Sequence, residues 1–462
     1  MTDFDVLVLG AGSGGYACAL RAAQLGLSVG LVEKDKVGGT CLHVGCIPTK
    51  ALLHAGEVAD SARESEQFGV RATFDGIDMA GVNAYKDGVV TRLFKGLTGL
   101  VKGRGITVLE GSGAVTGQRE VTVTAADGST EVHTGKHLVL ATGSYSRSLP
   151  GLEVDGERVL TSEHALRLDR VPASVVVLGG GVIGCEFASV WRSFGAEVTI
   201  VEALPRLVAA EDEASSKALE RAFRKRKIAF RTGTPFQSVK TTDDGVAVTV
   251  EGGDVIEAEL LLVAVGRGPV TDGLGFERIG VAMERGFVLT DDRCRTNVEG
   301  VYAVGDIVPG LQLAHRGFAQ GIFVAEHIAG LDPRPIDESA VPRVTYSHPE
   351  IASVGLDEAT ARETYGDDGV ETLTYDLGGN GKSQILKTQG FVKLVRRTDG
   401  PVVGVHLVGD RVGELIGEAQ LIYAWEAHAD DVAPLVHAHP TQNEALGEAH
   451  LALAGKPLHA HS

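Results

Sequence analysis

Residues 5–15 read DVLVLGAGSGG, and residues 174–184 read SVVVLGGGVIG. Each is an apolar, β-branched-rich run that stops on Gly-x-Gly-x-x-Gly and passes into an Ala-rich helical stretch. The glycines are Gly10, Gly12 and Gly15 in the first copy and Gly179, Gly181 and Gly184 in the second. Each copy then reaches a second strand that closes on an acid, SVGLVE at Glu33 and EVTIVE at Glu202, and the interval from first glycine to acid is the same in both. A lone Gly-x-Gly-x-x-Gly is weak evidence, and its bland reading is a glycine-rich turn in an α/β sheet. The complete strand–glycine–helix–strand–acid unit is stronger because every part has a task. The first glycine makes the tight turn, the second lets backbone approach a pyrophosphate, and the third lets helix pack on strand. The helix N-terminus presents its positive dipole end to the phosphates. The acid accepts hydrogen bonds from a ribose diol. Two copies at one spacing imply two bound dinucleotides.

Working outward, each unit has a later strand ending in glycine, HLVLATGS (137–144) and LLLVAVGR (260–267), and a third apolar segment, NVEGVYAVGD, ends on Asp306. Between the first unit and its later strand lie an alternating run, EVTVTAADG (120–128), and a helix-like segment over 83–103. Turn signals near Pro150 and between Gly268 and Gly275 mark domain edges. After about residue 340 the pattern changes. GFVKLVRR and PVVGVHLVG read as strands and ELIGEAQLIYAWEA (414–427) as a helix, so a separate α+β domain is expected.

Composition bounds the rest. The 462 residues suffice for several domains with large cores. A hydrophobic share of 44% and a charged share of 23% are those of an ordinary globular protein. A net charge of −18 argues against nucleic acid as a general partner. No apolar run is long enough for a membrane span, and the N-terminus lacks a signal peptide's basic region, so a cytoplasmic protein is expected. Of five cysteines, Cys18, Cys185 and Cys294 stand alone and read as small buried hydrophobes.

Cys41 and Cys46 differ. They stand in GGTCLHVGCIPTK (38–50), directly after Glu33. The spacing fits half a metal site, but no second cysteine pair exists to complete four ligands, so no metal site is expected. It also fits a redox-active disulfide. Five residues of straight helix rise ~7.5 Å, more than the ~4.4–6.8 Å between Cα atoms that a disulfide accepts. The backbone around the pair must therefore be irregular, with Gly45 and Pro48 as the means, and regular helix resuming through KALLHAGEVA. A thiolate at that helix N-terminus gains from the dipole. Near the C-terminus, HAHPTQNE (437–444) offers His439 and Glu444 as a base and its orienting carboxylate, with His437 an equally placed rival. The tail histidines His450, His459 and His461 lack a firm ligand spacing.

With GAGSGG, GGTCLHVGCIPTKALL, ATGS, GGGVIGCE, AVGR, YAVGD, LAH, YSHPEIASVG and HAHPTQNE in hand, the chain resembles the disulfide-dependent flavoprotein oxidoreductases along nearly its whole length, and most closely the dihydrolipoyl dehydrogenase family. The resemblance implies two Rossmann-like α/β domains and an α+β dimerisation domain. It divides the chain into an FAD-binding domain (1–148), an NAD-binding domain (149–270), a central domain completing the FAD site (271–341) and an interface domain (342–462). It places FAD on Gly10, Gly12, Gly15 and Glu33, with Gly38, Gly39, Thr40, Gly113, Thr142, Gly143, Ser144 and Asp306 as further contacts and Gln312, Leu313, Ala314 and His315 beside the flavin. NAD falls on Gly179, Gly181, Gly184, Glu186, Glu202 and Gly266. Lys50 lies near the flavin and pairs with Glu186. Cys41 becomes the thiol that meets substrate, Cys46 the thiol against the flavin, and His439, oriented by Glu444, the acid–base residue reaching a partner subunit's flavin in a homodimer. The substrate implied is dihydrolipoamide on the lipoyl domains of 2-oxo acid dehydrogenase or glycine cleavage complexes.

Glutathione-type reductases share both boxes but take NADPH, whose 2′-phosphate needs arginines where this chain has Glu202; Arg206 follows without displacing the acid. Mercuric reductases add cysteines absent here, and flavin transhydrogenases lack the pair. The chain departs from the family pattern at Val270, where Asn is usual, and over 316–320, where an acidic, Ala-containing stretch is common.

Overall fold

The computed structural model describes residues 3–459; His461 lies outside them. Strand Phe4–Leu9 is buried on both faces along its second half, as a central parallel strand requires. It runs between Val29–Glu33 and Thr130–Leu140, with Val6 opposite Val29 on one side and His137 on the other. Thr107–Glu110 extends the sheet beyond Val29–Glu33, and Val301–Ala303 extends it beyond Thr130–Leu140. Thr130–Leu140 serves two sheets. Its first half pairs antiparallel with Glu120–Thr124, the alternating run, and its second half joins the parallel sheet.

The second glycine unit builds the same arrangement. Ser174–Leu178 lies between Glu197–Val201 and Leu260–Val263, flanked by Ile228–Arg231 and Val159–Leu160, all parallel. A meander of Phe236–Thr241, Val246–Val250 and Val255–Ala258 packs Val246, Val248 and Val250 against one face. Helix Val182–Phe194 covers the other. The C-terminal part is an antiparallel sheet in the order Arg343–Thr345, Glu350–Gly355, Val402–Gly409, Phe391–Arg397, Val370–Asp376. Helices Ile416–Ala424 and Glu444–Leu453 close its core. The architecture is the expected one, two Rossmann-like units and an α+β part. Among the described residues no helix is long and apolar enough to cross a membrane. Cys18, Cys185 and Cys294 are buried.

Two helices differ in extent from their sequence reading. The first runs Met79–Gly103, starting before 83 because the Asp78 carboxylate accepts the Ala80 amide at 3.1 Å and caps the end. The other is Ile416–Ala424 instead of 414–427: Val412–Glu414 is a 3₁₀ turn, and Glu426 turns left-handed at φ 50°.

The glycines divide as the motif demands. A Cβ on Gly15 would lie 1.8 Å from the Gly10 carbonyl oxygen, and one on Gly184 1.9 Å from that of Gly179. Gly10 and Gly179 are left-handed, at φ 100° and 109°. Gly12 and Gly181 face open space. Gly184→Ala should therefore cost about 3 kcal/mol or more, because backbone must move. Gly181→Ala should stay within about 1 kcal/mol. Urea unfolding of the two variants checks this; equal losses would contradict the assignment.

Candidate active site

Gly12 and Gly181 are the N-caps of helices Ser13–Gln24 and Val182–Phe194, so each open glycine stands at a helix's positive end. The acids lock these loops. Glu33 accepts the Ala11 and Asp35 amides, both at 2.9 Å. Glu202 accepts the Gly180 amide at 2.5 Å and the Leu204 amide at 2.7 Å. In each copy the carboxylate joins the end of the second strand to the glycine turn and retains lone pairs for ribose hydroxyls. The room at Gly12 and Gly181 and the paired carboxylates fit two dinucleotides. Arg206 is turned away: its guanidinium donates to the Glu211 carbonyl at 2.6 Å and to Ser216 Oγ at 2.7 Å.

Both loops open into one cleft of about 1300 Å³. Cys41 and Cys46 line it. Cys41 lies in the short helix Gly39–His43, and Cys46 is the first residue of helix Cys46–Arg63. The chain breaks at Val44 and Gly45, as the spacing requires, whereas Pro48, also expected to contribute, lies in the first turn of the regular helix. A Cβ on Gly45 would lie 2.9 Å from the Thr40 carbonyl oxygen, so the break itself demands glycine. Both cysteines are free thiols, side by side. The Cys41 S–H donates to the Cys46 sulfur; this hydrogen bond, with the Lys50 charge and against burial, lowers Cys46 to about 7 and raises Cys41. Cys46 is the first residue of its helix, whose positive end favours a thiolate there.

One helical turn on, Lys50 Nζ meets both Glu186 oxygens at 2.8 and 2.9 Å. Burial opposes its charge, but Glu186 holds Lys50 above its usual value. The Tyr346 amide donates to Glu186 at 3.0 Å, and Lys50 lies 4.7 Å from the Tyr346 ring centre. Across the cleft, Ser144 Oγ donates to Asp306 at 2.5 Å, and Arg267 donates to Ser144 Oγ at 2.7 Å. Thr142 Oγ1 donates to the Val270 carbonyl at 2.5 Å, and the Val270 amide donates to the Gly143 carbonyl at 2.9 Å. Gln312, Leu313, Ala314 and His315 line the cleft beside Asp306; Gln312 donates to the Asp306 carbonyl at 3.2 Å. Thr40 and Gly266 also line it. Gly38 and Gly39 are left-handed, at φ 112° and 60°, and a Cβ on Gly39 would lie 2.7 Å from Gly12 Cα. Gly113 is set back: a Cβ there would strike Leu9 and Val32 in the core, so only its peptide group is available to a ligand.

His439 and Glu444 lie outside this cleft. Their Nδ1–Oε1 distance is 2.8 Å, and the His439 side chain is 77% exposed. Burial works against the Glu444 charge, but the Thr441 amide and His439 hold its carboxyl below the usual range. His437 has a different place. Its Nε2 meets Glu418 at 2.8 Å, and the other Glu418 oxygen accepts Asn443 Nδ2 at 2.5 Å, so His437 fastens the loop that presents His439. His459 pairs with Glu448, and His450 is buried against the Leu446 carbonyl. Arg267 and Tyr346 escaped the sequence reading of the site. Both stand in quoted motifs, AVGR and YSHPE, but act through contacts to residues far away in sequence.

The model of the family described as pyridine nucleotide-disulphide oxidoreductase matches residues 4–321, and that of its dimerisation domain matches 341–450. Dihydrolipoyl dehydrogenase of Bacillus subtilis (strain 168) is 41% identical, over 99% of each chain. A mitochondrial dihydrolipoyl dehydrogenase of Arabidopsis thaliana is 40% identical, over 98% of this chain and 91% of its own. The crystal structure of LpdA from Mycobacterium tuberculosis superposes with a TM-score of 0.91 at 28% identity, over 97% of this chain and 99% of that one. With a dithiol between two dinucleotide loops and full-length relatives of this kind, the chain belongs to the pyridine nucleotide-disulphide oxidoreductase family and is an enzyme that uses FAD and NAD.

Proposed function

We propose that the chain oxidises protein-bound dihydrolipoamide to lipoamide and reduces NAD⁺ to NADH, serving a 2-oxo acid dehydrogenase or glycine cleavage complex in the cytosol. The observation that carries this reading is the position of the Cys41–Cys46 dithiol, in the cleft into which both glycine loops open. Residues 1–148 with 271–341 would hold FAD, 149–270 would hold NAD, and 342–462 would pair two chains. Gly12, Glu33, Ser144 and Asp306 would supply FAD with donors, acceptors and room, and Gly181, Glu186, Glu202 and Gly266 would do so for NAD.

The substrate brings two thiols. His439, held by Glu444, removes a proton, and the resulting thiolate attacks the Cys41 sulfur of the oxidised pair, displacing Cys46 as thiolate. The second substrate thiol then breaks the mixed disulfide, leaving lipoamide and the Cys41–Cys46 dithiol. FAD, once bound, would supply the two-electron chemistry that links the dithiol to NAD⁺. The sum is dithiol plus NAD⁺ giving disulfide, NADH and one proton. Lys50, next to the lowered Cys46, keeps positive charge beside the thiolate. His439 is exposed and absent from the cleft of its own chain, which favours a site completed by a second chain's His439.

Three outcomes are expected. Cys46→Ser and His439→Gln should each abolish NAD⁺ reduction by dihydrolipoamide. Dissociating and reassociating the two variants as an equal mixture should restore about a quarter of wild-type activity, because half the dimers then carry one intact site; no recovery would place His439 in its own chain's site. Activity with NADH should exceed that with NADPH by at least about a hundredfold, since Glu202 repels a 2′-phosphate and Arg206 is committed elsewhere; comparable rates would overturn the NAD assignment. Finally, the ultraviolet thiolate absorbance of the reduced protein should grow as pH rises through about 7. Below that pH Cys46 is protonated and above it ionised. In Cys41→Ala the midpoint should move upward, because the stabilising S–H donor is gone; an unmoved midpoint would remove Cys41 as the cause.

A further inference from the structure

The loop 203–211, between the ribose carboxylate Glu202 and the next helix, lies directly on the second glycine turn. The Val208 amide donates to the Gly180 carbonyl at 2.8 Å, and a Cβ on Gly180 would lie 2.5 Å from Leu207. Val208 is left-handed, at φ 43°, a conformation that a β-branched residue keeps only when its surroundings impose it. Two things hold it from the loop's far end. The Glu211 amide donates to the Val208 carbonyl at 2.8 Å. Glu211 and Asp212 are in turn buried in the C-terminal sheet. Glu211 accepts Ser353 Oγ at 2.5 Å and lies 3.3 Å from Arg343 Nε. Asp212 meets Lys393 Nζ with both oxygens at 2.9 Å and accepts the Glu358 amide at 3.2 Å. Lys393 also meets Glu358 at 2.8 Å. Glu211, Asp212, Ser353 and Lys393 are all at most 6% exposed.

We infer that the Asp212–Lys393 pair is a positioning device for the nicotinamide dinucleotide: it latches the ribose-side loop onto the dimerisation domain and so holds Gly180 and Glu202 in binding geometry. Lys393 does not line the cleft. It acts through Asp212, Glu211, the strained Val208 and Gly180. Released at Asp212, the loop relaxes at Val208 and withdraws the hydrogen bond that orients the glycine turn. The consequence falls on NAD⁺ affinity and spares the thiol half of the reaction.

The inference rests on the second glycine unit being the NAD site, and the test separates the two. In the holoenzyme, Lys393→Met, Asp212→Asn and the double variant are compared with Glu202→Ala. The latch predicts that each single variant raises KM for NAD⁺ about five- to tenfold with kcat held within about twofold. Anaerobic flavin reduction by dihydrolipoamide should keep its wild-type rate, and the double variant should be no worse than either single one. Thermal melting reports stability separately; the double variant leaves no charged Asp212 buried without Lys393, and Glu358 keeps Arg362 at 2.8 Å. Loss of stability with an unchanged KM for NAD⁺ in the double variant overturns the latch. An unchanged KM in Glu202→Ala overturns the NAD site itself.

Discussion

A buried carboxylate has to be paired, and Glu186, 2% exposed, is the one on which this site is built. An uncompensated charge there would cost several kcal/mol. Its partners come from different parts of the chain, the Lys50 ammonium from the cysteine helix and the Tyr346 amide from the C-terminal sheet, while Glu186 itself sits on the helix that begins at Gly181. Satisfying one acid therefore fixes the dithiol, the second glycine loop and the C-terminal part relative to each other. It also fixes which face of helix Cys46–Arg63 looks into the cleft. Cys46, Lys50 and Leu53 recur at helical spacing and line it together. The other end of that helix is held independently. Asp60 accepts Ser193 Oγ at 2.6 Å and lies 3.0 Å from an Arg226 nitrogen, and Gly56 lets Ser193 approach to where its own Cβ would be, 3.0 Å away.

The two glycine units share one geometry and diverge beyond the acid. After Glu33 the chain turns back over its own loop, so that Gly39 rests on Gly12 and the cysteines enter the cleft into which that glycine turn opens. After Glu202 it lays Leu207 and Val208 against Gly180 and then leaves for the C-terminal sheet. The same nucleotide-binding device thus receives a redox group in one copy and a structural tether in the other.

What could be read from sequence was what repeats or reacts. The strand–glycine–acid units declared themselves by spacing, and the break between Cys41 and Cys46 followed from helix rise against disulfide reach. The pairing of Lys50 with Glu186 came from resemblance, since nothing local to either residue points to the other across 136 positions. Arg267, Tyr346 and the ties of Glu211 and Asp212 were hidden for the same reason: their partners are set by tertiary packing. His437 and His439 were equivalent as sequence. Only the fold separates them, by placing Glu418 under the first and leaving the second exposed. Helix ends moved where a cap or a left-handed residue, Asp78 or Glu426, outweighed periodicity.

The departures from the family pattern show where side-chain identity matters. Val270 serves the site through its peptide, donating to Gly143 and accepting from Thr142, so a change from amide to aliphatic side chain leaves both bonds in place. The stretch 316–320 is different, because its side chains are used. Arg316 is buried and spends its donors on Glu338 at 2.7 and 2.9 Å and on the carbonyls of Pro309 and Leu311 at 2.7 and 3.2 Å. Gly310 is left-handed at φ 113°, and a Cβ there would strike the Arg316 guanidinium at 2.7 Å. Gln320 accepts the Gly305 amide at 2.8 Å, next to Asp306. Arginine and glutamine here grip the backbone on both sides of Asp306, with a neutral acceptor at 320 on the Gly305 amide. That arrangement holds Gln312 and the start of helix Ala314–Ile328, which carries His315, against the cleft without adding negative charge next to Asp306.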